Sequence, residues 1–521
     1  MTTPDLCHVG ANWVLGINLH IGDSHLALGP PNIRGQREGY LIGCDQQLPQ
    51  CGQCTRMREQ CCGYRDEWEL VFRDQTKHTI KRSKEKSAKK AAAGMIGAHR
   101  PAPPAGMPPS LDEIGVNYFL HNFVISNQSP SRGFLNYVPA VFSADAEHPT
   151  LVASMAAVGL VALANSSRQP DLIAHARVKY SEAIRNVNSA LASPVDCVKD
   201  STLMSIISLG VFEHVSNFRS WVRHVQGAAA LVVVRGRKQF SSPAAIFMFN
   251  QVRADMVIAC LHGNQPFPED LRKLQEDAAM HTDTSIPLWQ LGVTAVRCAN
   301  LLYGVSQNKG EIPWYNFLEE ATVLQRDFQR ILGILAVQEP YTTVRNFDGD
   351  PNMIHNGRYD LYRSSWAIRV WNNSRNIQII ACEIGCHILN KVLAAELPPV
   401  VRESMKVRLH DTLEILSKLA DDMLATVPQT LGYVTIRSTS GNDCSPASVS
   451  GSYILVWSLY MVGKSVVITG ETRKWIIQRL QEIGQSAGLT MVLPLLEQII
   501  KLDQLADQKA LTEPHFEPAR D

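Results

Sequence analysis

Cys44, Cys51, Cys54 and Cys61 stand in the pattern C-x6-C-x2-C-x6-C, with Cys62 directly behind the last of them. Thiolates are the soft ligands zinc prefers, and a C-x2-C bite sets two of them on one ion. The spacing therefore predicts a metal centre in which Cys44, Cys51, Cys54 and Cys61 gather round one zinc. Cys62 is the spare, because the x6 count closes at Cys61. Four thiolates suit one tetrahedral ion; two zincs sharing bridging thiolates need more.

Behind the cysteines runs a basic stretch: Lys77, Lys81, Arg82, Lys84, Lys86, Lys89 and Lys90 against the single acid Glu85. Such a run can neutralise nucleic-acid phosphates or serve as a nuclear-import signal, and on its own it is equally a solvated linker. Beside a metal module the import reading is favoured. Pro101, Pro103, Pro104, Pro108 and Pro109 then mark a stiff, unpacked joint.

Catalytic signals are thin. Neither G-x4-G-K-[S/T] nor H-E-x2-H occurs. One G-x-S-x-G stands at Gly484–Gly488, but a nucleophile elbow needs a strand before it and a helical stripe precedes this one. Cys382, Glu383, Cys386 and His387 share a helix face, yet their neighbours are apolar and small cysteines pack there like alanine. His214 and His224 are expected to be structural, and Trp221 is expected in the core. Glu213 and Arg223 are candidates for an ion pair that fixes helix register. No enzyme is expected.

The 521-residue chain is long enough for one large domain or several, and its 45% hydrophobic and 19% charged residues are ordinary for a globular protein. A net charge of +1 gives no global sign of a polyanionic partner, so any such signal is local. Scattered cysteines fit a reducing compartment rather than a disulfide framework. No basic flank precedes an apolar stretch at the start, so no secretory leader is expected. The run Val152–Ala164 is too short to span a bilayer and reads as a buried helix, so no membrane partner is expected.

From about Leu111 onward the apolar period is helical. Tyr180, Ala183, Ile184, Val187 and Leu191 form one stripe; Leu203, Ile206, Ile207, Gly210 and Val211 form another; Ile476, Leu480 and Ile483 form a third. Ser193-Pro194 should end one helix and open the next, and Gly236 and Gly484 are expected stops. Val232-Val233-Val234 favours strand locally, but its flanks are helical and packing should override it. The fold expected is all-α, with stacked helix pairs.

Two stretches carry a family resemblance. Cys44-Asp45, Pro49, Cys51, Cys54 and Cys61, with the tail Cys62-Gly63-Tyr64-Arg65, resemble the second half of the fungal binuclear zinc cluster, a six-cysteine DNA-binding module. Its first two cysteines, and the basic helix they hold in the major groove, have no counterpart upstream of Cys44, where Cys7 is the only other thiol. A boundary misassigned just before Cys44 and a true loss of the element both account for this. Asp200–Leu203 with Leu209–Glu213, Ser220–Ala228 with Arg235–Phe240, and the segment from Arg473 are similar to blocks of the fungal-specific transcription factor regulatory domain. The resemblance implies a nuclear transcription regulator with zinc as cofactor, DNA and co-regulators as partners, and possible homodimers. DNA binding is expected to be weak and unselective in this chain; the alternative is an adaptor without DNA binding that acts through its helical domain. The organisation expected is a segment outside the family (1–43), a partial zinc module (44–64), a basic, proline-rich disordered linker (65–110), the helical domain (111–510) and a tail (511–521).

Overall fold

The computed structural model describes residues 109–124, 135–145, 148–216, 220–345, 350–434, 449–486 and 489–512, with the backbone of 34–37 and 40–43. The chain divides into two compact units, one drawn from residues 20–108 and the other containing 109–521. In the first, β1 (Arg34–Arg37) pairs antiparallel with β2 (Tyr40–Gly43), Arg34 opposite Gly43 and Arg37 opposite Tyr40. The sequence reading places no element there, since four-residue strands are too short for alternation to register.

The second unit is all-α. Its helices are α1 (Leu111–Phe123), α2 (Val138–Asp145), α3 (Pro149–Ser167), α4 (Pro170–Ala192), α5 (Asp200–Ser216), α6 (Trp221–Arg235), α7 (Pro243–Gly263), α8 (Glu269–Ala279), α9 (Pro287–Gln307) and α10 (Trp314–Gln338). After a hairpin come α11 (Ser365–Leu393), α12 (Pro399–Leu424), the single turn α13 (Val427–Thr430), α14 (Val449–Lys464), α15 (Gly470–Ser486) and α16 (Val492–Thr512). Helix starts are written in the sequence. Ser110 and Glu113 form a reciprocal capping box on α1. Proline, which has no N–H to orphan, opens α3, α4, α7, α9 and α12.

Neighbours in sequence are neighbours in space. α3 folds back onto α4 through a two-residue joint in which Arg168 adopts the left-handed conformation and its N–H caps Ala164 and Asn165. α1 crosses α3 in backbone contact: a Cβ added at Gly159 would lie 1.7 Å from the Gly115 carbonyl oxygen, so glycine is required there. α4 presents Ala176, Ala183, Val187 and Ala190 to the core. Small side chains let it approach α3 closely.

Leu203, Ile207, Trp221, Ile476, Leu480 and Ile483 are buried as expected. Tyr180 and Ile184, expected to be buried with them, are only half-buried, packed on the core's edge. Leu191 is exposed, because the buried stripe of α4 ends on Ala190 one position earlier. Gly236 ends α6 with φ +60, and Val232–Val234 are helical. Two expectations fail. No helix starts at Pro194: Ser193 Oγ instead accepts from the Asp196 N–H, making a turn that leads to α5. α15 runs past Gly484 to Ser486, so a helix, not a strand, leads into the G-x-S-x-G sequence.

α3 and α7 are long and apolar enough to cross a membrane by length and composition, but 72% and 67% of their apolar windows are buried inside the fold. That is the position of core helices.

The sequence reading also misses a hairpin. β3 (Tyr341–Arg345) pairs antiparallel with β4 (Arg358–Tyr362), Tyr341 opposite Tyr362. The free edge of β4 is satisfied by helix-end groups. The Asp360 N–H donates to the Ala425 carbonyl, and the Gln429 amide exchanges two hydrogen bonds with the Tyr362 backbone. A satisfied edge explains how a two-stranded ribbon persists in a helical fold. Ile331, Leu335, Tyr362, Ile368 and Trp371 form a small core of their own beneath it.

Candidate functional site

The residues singled out for zinc, Cys44, Cys51, Cys54 and Cys61, and the basic run Lys77 to Lys90 lie outside the described residues. The structure brings together two other groups of polar side chains, both inside the helical unit.

The first lies where α4, α5 and α6 meet. Glu213, only 5% exposed, accepts from the Tyr180 hydroxyl at 2.7 Å and from the Ser220 N–H at 3.0 Å. Tyr180 Oη also lies 2.7 Å from His224 Nε2. Since the tyrosine proton goes to the carboxylate, His224 Nε2 carries the proton of this second bond, and the ring is the neutral Nε2–H tautomer. Burial lowers the His224 pKa, against the pull of Glu213. The expected Glu213–Arg223 pair does not form: Arg223 lies on the exposed face of α6, and Glu213 is taken up by the tyrosine and the backbone. Nearby, His214 stands edge-on to Trp221 and Tyr453, with ring centres 5.0 and 5.1 Å apart, and burial pushes its pKa down to about 3. At the other end of α5, Asp200 binds the Arg235 guanidinium and accepts from Ser242 Oγ at 3.1 Å. These contacts tie the starts of α5 and α7 to the end of α6. Their chemistry is that of clasps.

The second group surrounds a cavity of about 120 Å³ between α7, α9, α11 and α14. Phe247, Val257, Leu291, Trp366, Ile377 and Trp457 give it apolar and indole walls. Polar groups from Asn250, Arg253, Arg369, Asn373 and Asn376 converge on the same space. Arg253 is 2% exposed and its guanidinium lies 4.4 Å from the centre of the Trp289 ring. Its Nη1 donates to Gln275 Oε1 at 3.0 Å and its Nη2 to Asn250 Oδ1 at 3.1 Å, both neutral acceptors. Nε has no hydrogen-bond partner, and no carboxylate lies within ion-pair reach among the described residues. Burial alone lowers the Arg253 pKa to about 9, so the group is still cationic at neutral pH. Gly292 makes room for it: a Cβ there would lie 2.1 Å from Arg253 Nη2. Arg369 is differently placed. It donates to Gln251 Oε1, and Gln251 in turn donates to Asp255 Oδ1 at 2.9 Å, so an acid stands behind that cation. Burial raises Asp255 to about 6.

Cys382 belongs to the hydrophobic core, and burial raises its pKa; burial also pushes Cys386 up to about 12. Both are therefore thiols rather than thiolates at neutral pH. α11 uses Cys382 for packing, and Cys386, one turn on, is half-buried. Among the described residues no three His, Cys, Asp or Glu side chains are placed to share a metal ion.

Arg253 was missed in the sequence. The available signal is a charged residue on an apolar helix face: Phe249, Arg253, Met256 and Cys260 follow at i, i+4, i+7 and i+11, and all four are buried.

Residues 116–290 match the model of the fungal specific transcription factor domain. The match runs from within α1 to the start of α9, taking in the clasps of α4 to α6 and Arg253. No curated protein matches the chain, and no solved structure does.

Proposed function

We propose that this chain is a nuclear transcription regulator of the fungal zinc-cluster type, whose helical unit controls its activity. The observation that carries the reading is the match of residues 116–290 to the fungal specific transcription factor domain, on helices held by the sequence blocks that suggested it. Ahead of that unit, Cys44, Cys51, Cys54 and Cys61 hold one zinc at Zn–S distances of about 2.3 Å. The metal does for that short segment what a hydrophobic core does for a larger one. Lys77, Lys81, Arg82, Lys84, Lys86, Lys89 and Lys90 direct nuclear import and contact phosphates, which position a protein on DNA without reading sequence. Base readout needs a groove-entering helix, and no paired thiols before Cys44 pin one. DNA binding is accordingly weak, unselective and steeply salt-dependent. That same lack favours a second reading, an adaptor that reaches promoters through a partner rather than by its own contacts.

The test has two parts. The chain fused to a heterologous DNA-binding domain should change the output of a reporter, and tagged protein should accumulate in the nucleus; neither effect would be seen if the regulatory reading is wrong. Competition between a CGG-type site and random duplex at physiological salt then separates regulator from adaptor. A strong preference for the CGG site would show that residues 1–43 supply a reading element, contrary to the ligand count. No DNA binding even at low salt would favour the adaptor.

A further inference from the structure

Arg253 is a buried cation with no anion in ion-pair reach among the described residues. Taking a guanidinium out of water is costly unless a negative partner returns the lost solvation, which is why buried charges are normally paired. Here the hydrogen bonds go to the neutral amides of Gln275 and Asn250, and Nε has none. The cavity wall offers a second orphan: Asn376, 4% exposed, spends its amide N–H on Ser458 Oγ while its Oδ1 has no partner. Two unsatisfied buried polar groups on one cavity point to something that completes them.

The space is larger than one water needs. A buried water requires about 10–15 Å³ on the same scale, so 120 Å³ has room for on the order of ten non-hydrogen atoms. Its walls are mainly apolar, with the indoles of Trp366 and Trp457 among them, and its polar groups are few and convergent. This is the make-up of a small-molecule pocket rather than of a hydrated channel. The charge selects further. Arg369 has Asp255 behind it through Gln251, whereas Arg253 has no acid among the described residues, so the cavity carries a positive charge that they do not compensate.

We infer that the cavity between α7, α9, α11 and α14 binds a small organic carboxylate with a flat or branched apolar body, its carboxylate on Arg253 and its body against the indoles. Arg253 is held ready for this by Trp289 over its plane and by Gly292, whose missing side chain leaves the guanidinium its place. A hydroxyl on the ligand would satisfy Asn376 Oδ1. As a control input to transcription the site rests on the regulatory reading above; the binding itself does not.

Phenylacetate and its neutral isostere phenylacetamide, titrated into the purified full chain by calorimetry and tryptophan fluorescence, test the site. Phenylacetate should bind saturably and at least about tenfold more tightly than the amide, because only the anion makes a charge-assisted bond. Arg253→Gln should erase that preference while leaving the melting transition cooperative. Gly292→Ala, which displaces the guanidinium without removing it, should weaken phenylacetate and leave the amide nearly unchanged. Equal binding of anion and amide, retention of the preference by Arg253→Gln, or no saturable phenylacetate binding at tens of millimolar would each overturn the assignment. A failed reporter experiment with intact phenylacetate binding would sink the regulatory reading alone.

Discussion

Two buried arginines in the helical unit meet opposite circumstances. Arg235, at the end of α6, lies against Asp200 at the start of α5, and the same carboxylate holds Ser242 at the start of α7. Arg253, in the middle of α7, meets amides and an indole but, among the described residues, no acid. Charge in the first region is spent inside the fold, where it fixes how helices join. Charge in the second is left available beside a cavity. A buried ion whose removal breaks an ion pair is a structural part; one held only by neutral amides and an indole, beside a cavity, is explained by what it binds.

Core packing sets the scale against which this contrast is measured. Leu203 is fully buried in α5, and Leu203→Ala should cost about 2–5 kcal/mol in urea unfolding. A change near zero would mean that α5 is not the centre of the matched region. Arg235→Met comes next. It leaves Asp200 half-desolvated with only a serine, and about 1–3 kcal/mol should be lost. Tyr180→Phe removes the donor to Glu213 and the partner of His224, for a loss of about 1–2 kcal/mol; unchanged stability would mean that water replaces the hydroxyl without cost.

The clasp region should also respond to pH. Burial lowers both His214, to about 3, and His224. The unfolded chain takes up these protons near the usual value of about 6.5, the folded chain only well below it. Stability is therefore full above about 6.5 and falls as the pH drops from there toward the folded values. Denaturation midpoints between pH 7.5 and about 5 should decline, and His214→Phe should flatten the decline. A flat profile in the unsubstituted chain would show that the ring is not as shielded as its place between Trp221 and Tyr453 implies. The smallest effect belongs to Arg223→Ala. On the exposed face of α6 and away from Glu213, it should shift stability by less than about 0.5 kcal/mol.

The helices were legible because their signals are local. Apolar period, proline at first turns and glycine at Gly236 specify each one within its own segment, and the stripe through Leu203, Ile207 and Val211 marks residues of α5 that are buried. The β3–β4 ribbon was not legible, because its edge is completed by Ala425 and Gln429 from a distant helix end. Partner choice was the other failure. Glu213 and Arg223 look complementary in sequence, but they stand on separate helices, Arg223 on the exposed face of α6, and Tyr180 from α4 takes the carboxylate. The cavity depends on four helices meeting, and of its parts only the charge of Arg253 on an apolar face could have been seen beforehand. The cysteines show the reverse case, a motif plain in sequence that lies outside the described residues.

The contrast between the two arginines is tested most directly by one pair of urea-unfolding curves, Arg253→Met beside Arg235→Met, in the absence of added ligand. An uncompensated buried charge replaced by an apolar side chain of similar length should leave stability unchanged within about 1 kcal/mol or raise it, while the broken clasp loses about 1–3 kcal/mol. If Arg253→Met is destabilised as much as Arg235→Met, Arg253 is a structural arginine like the other, and the cavity loses the charge that defines its ligand.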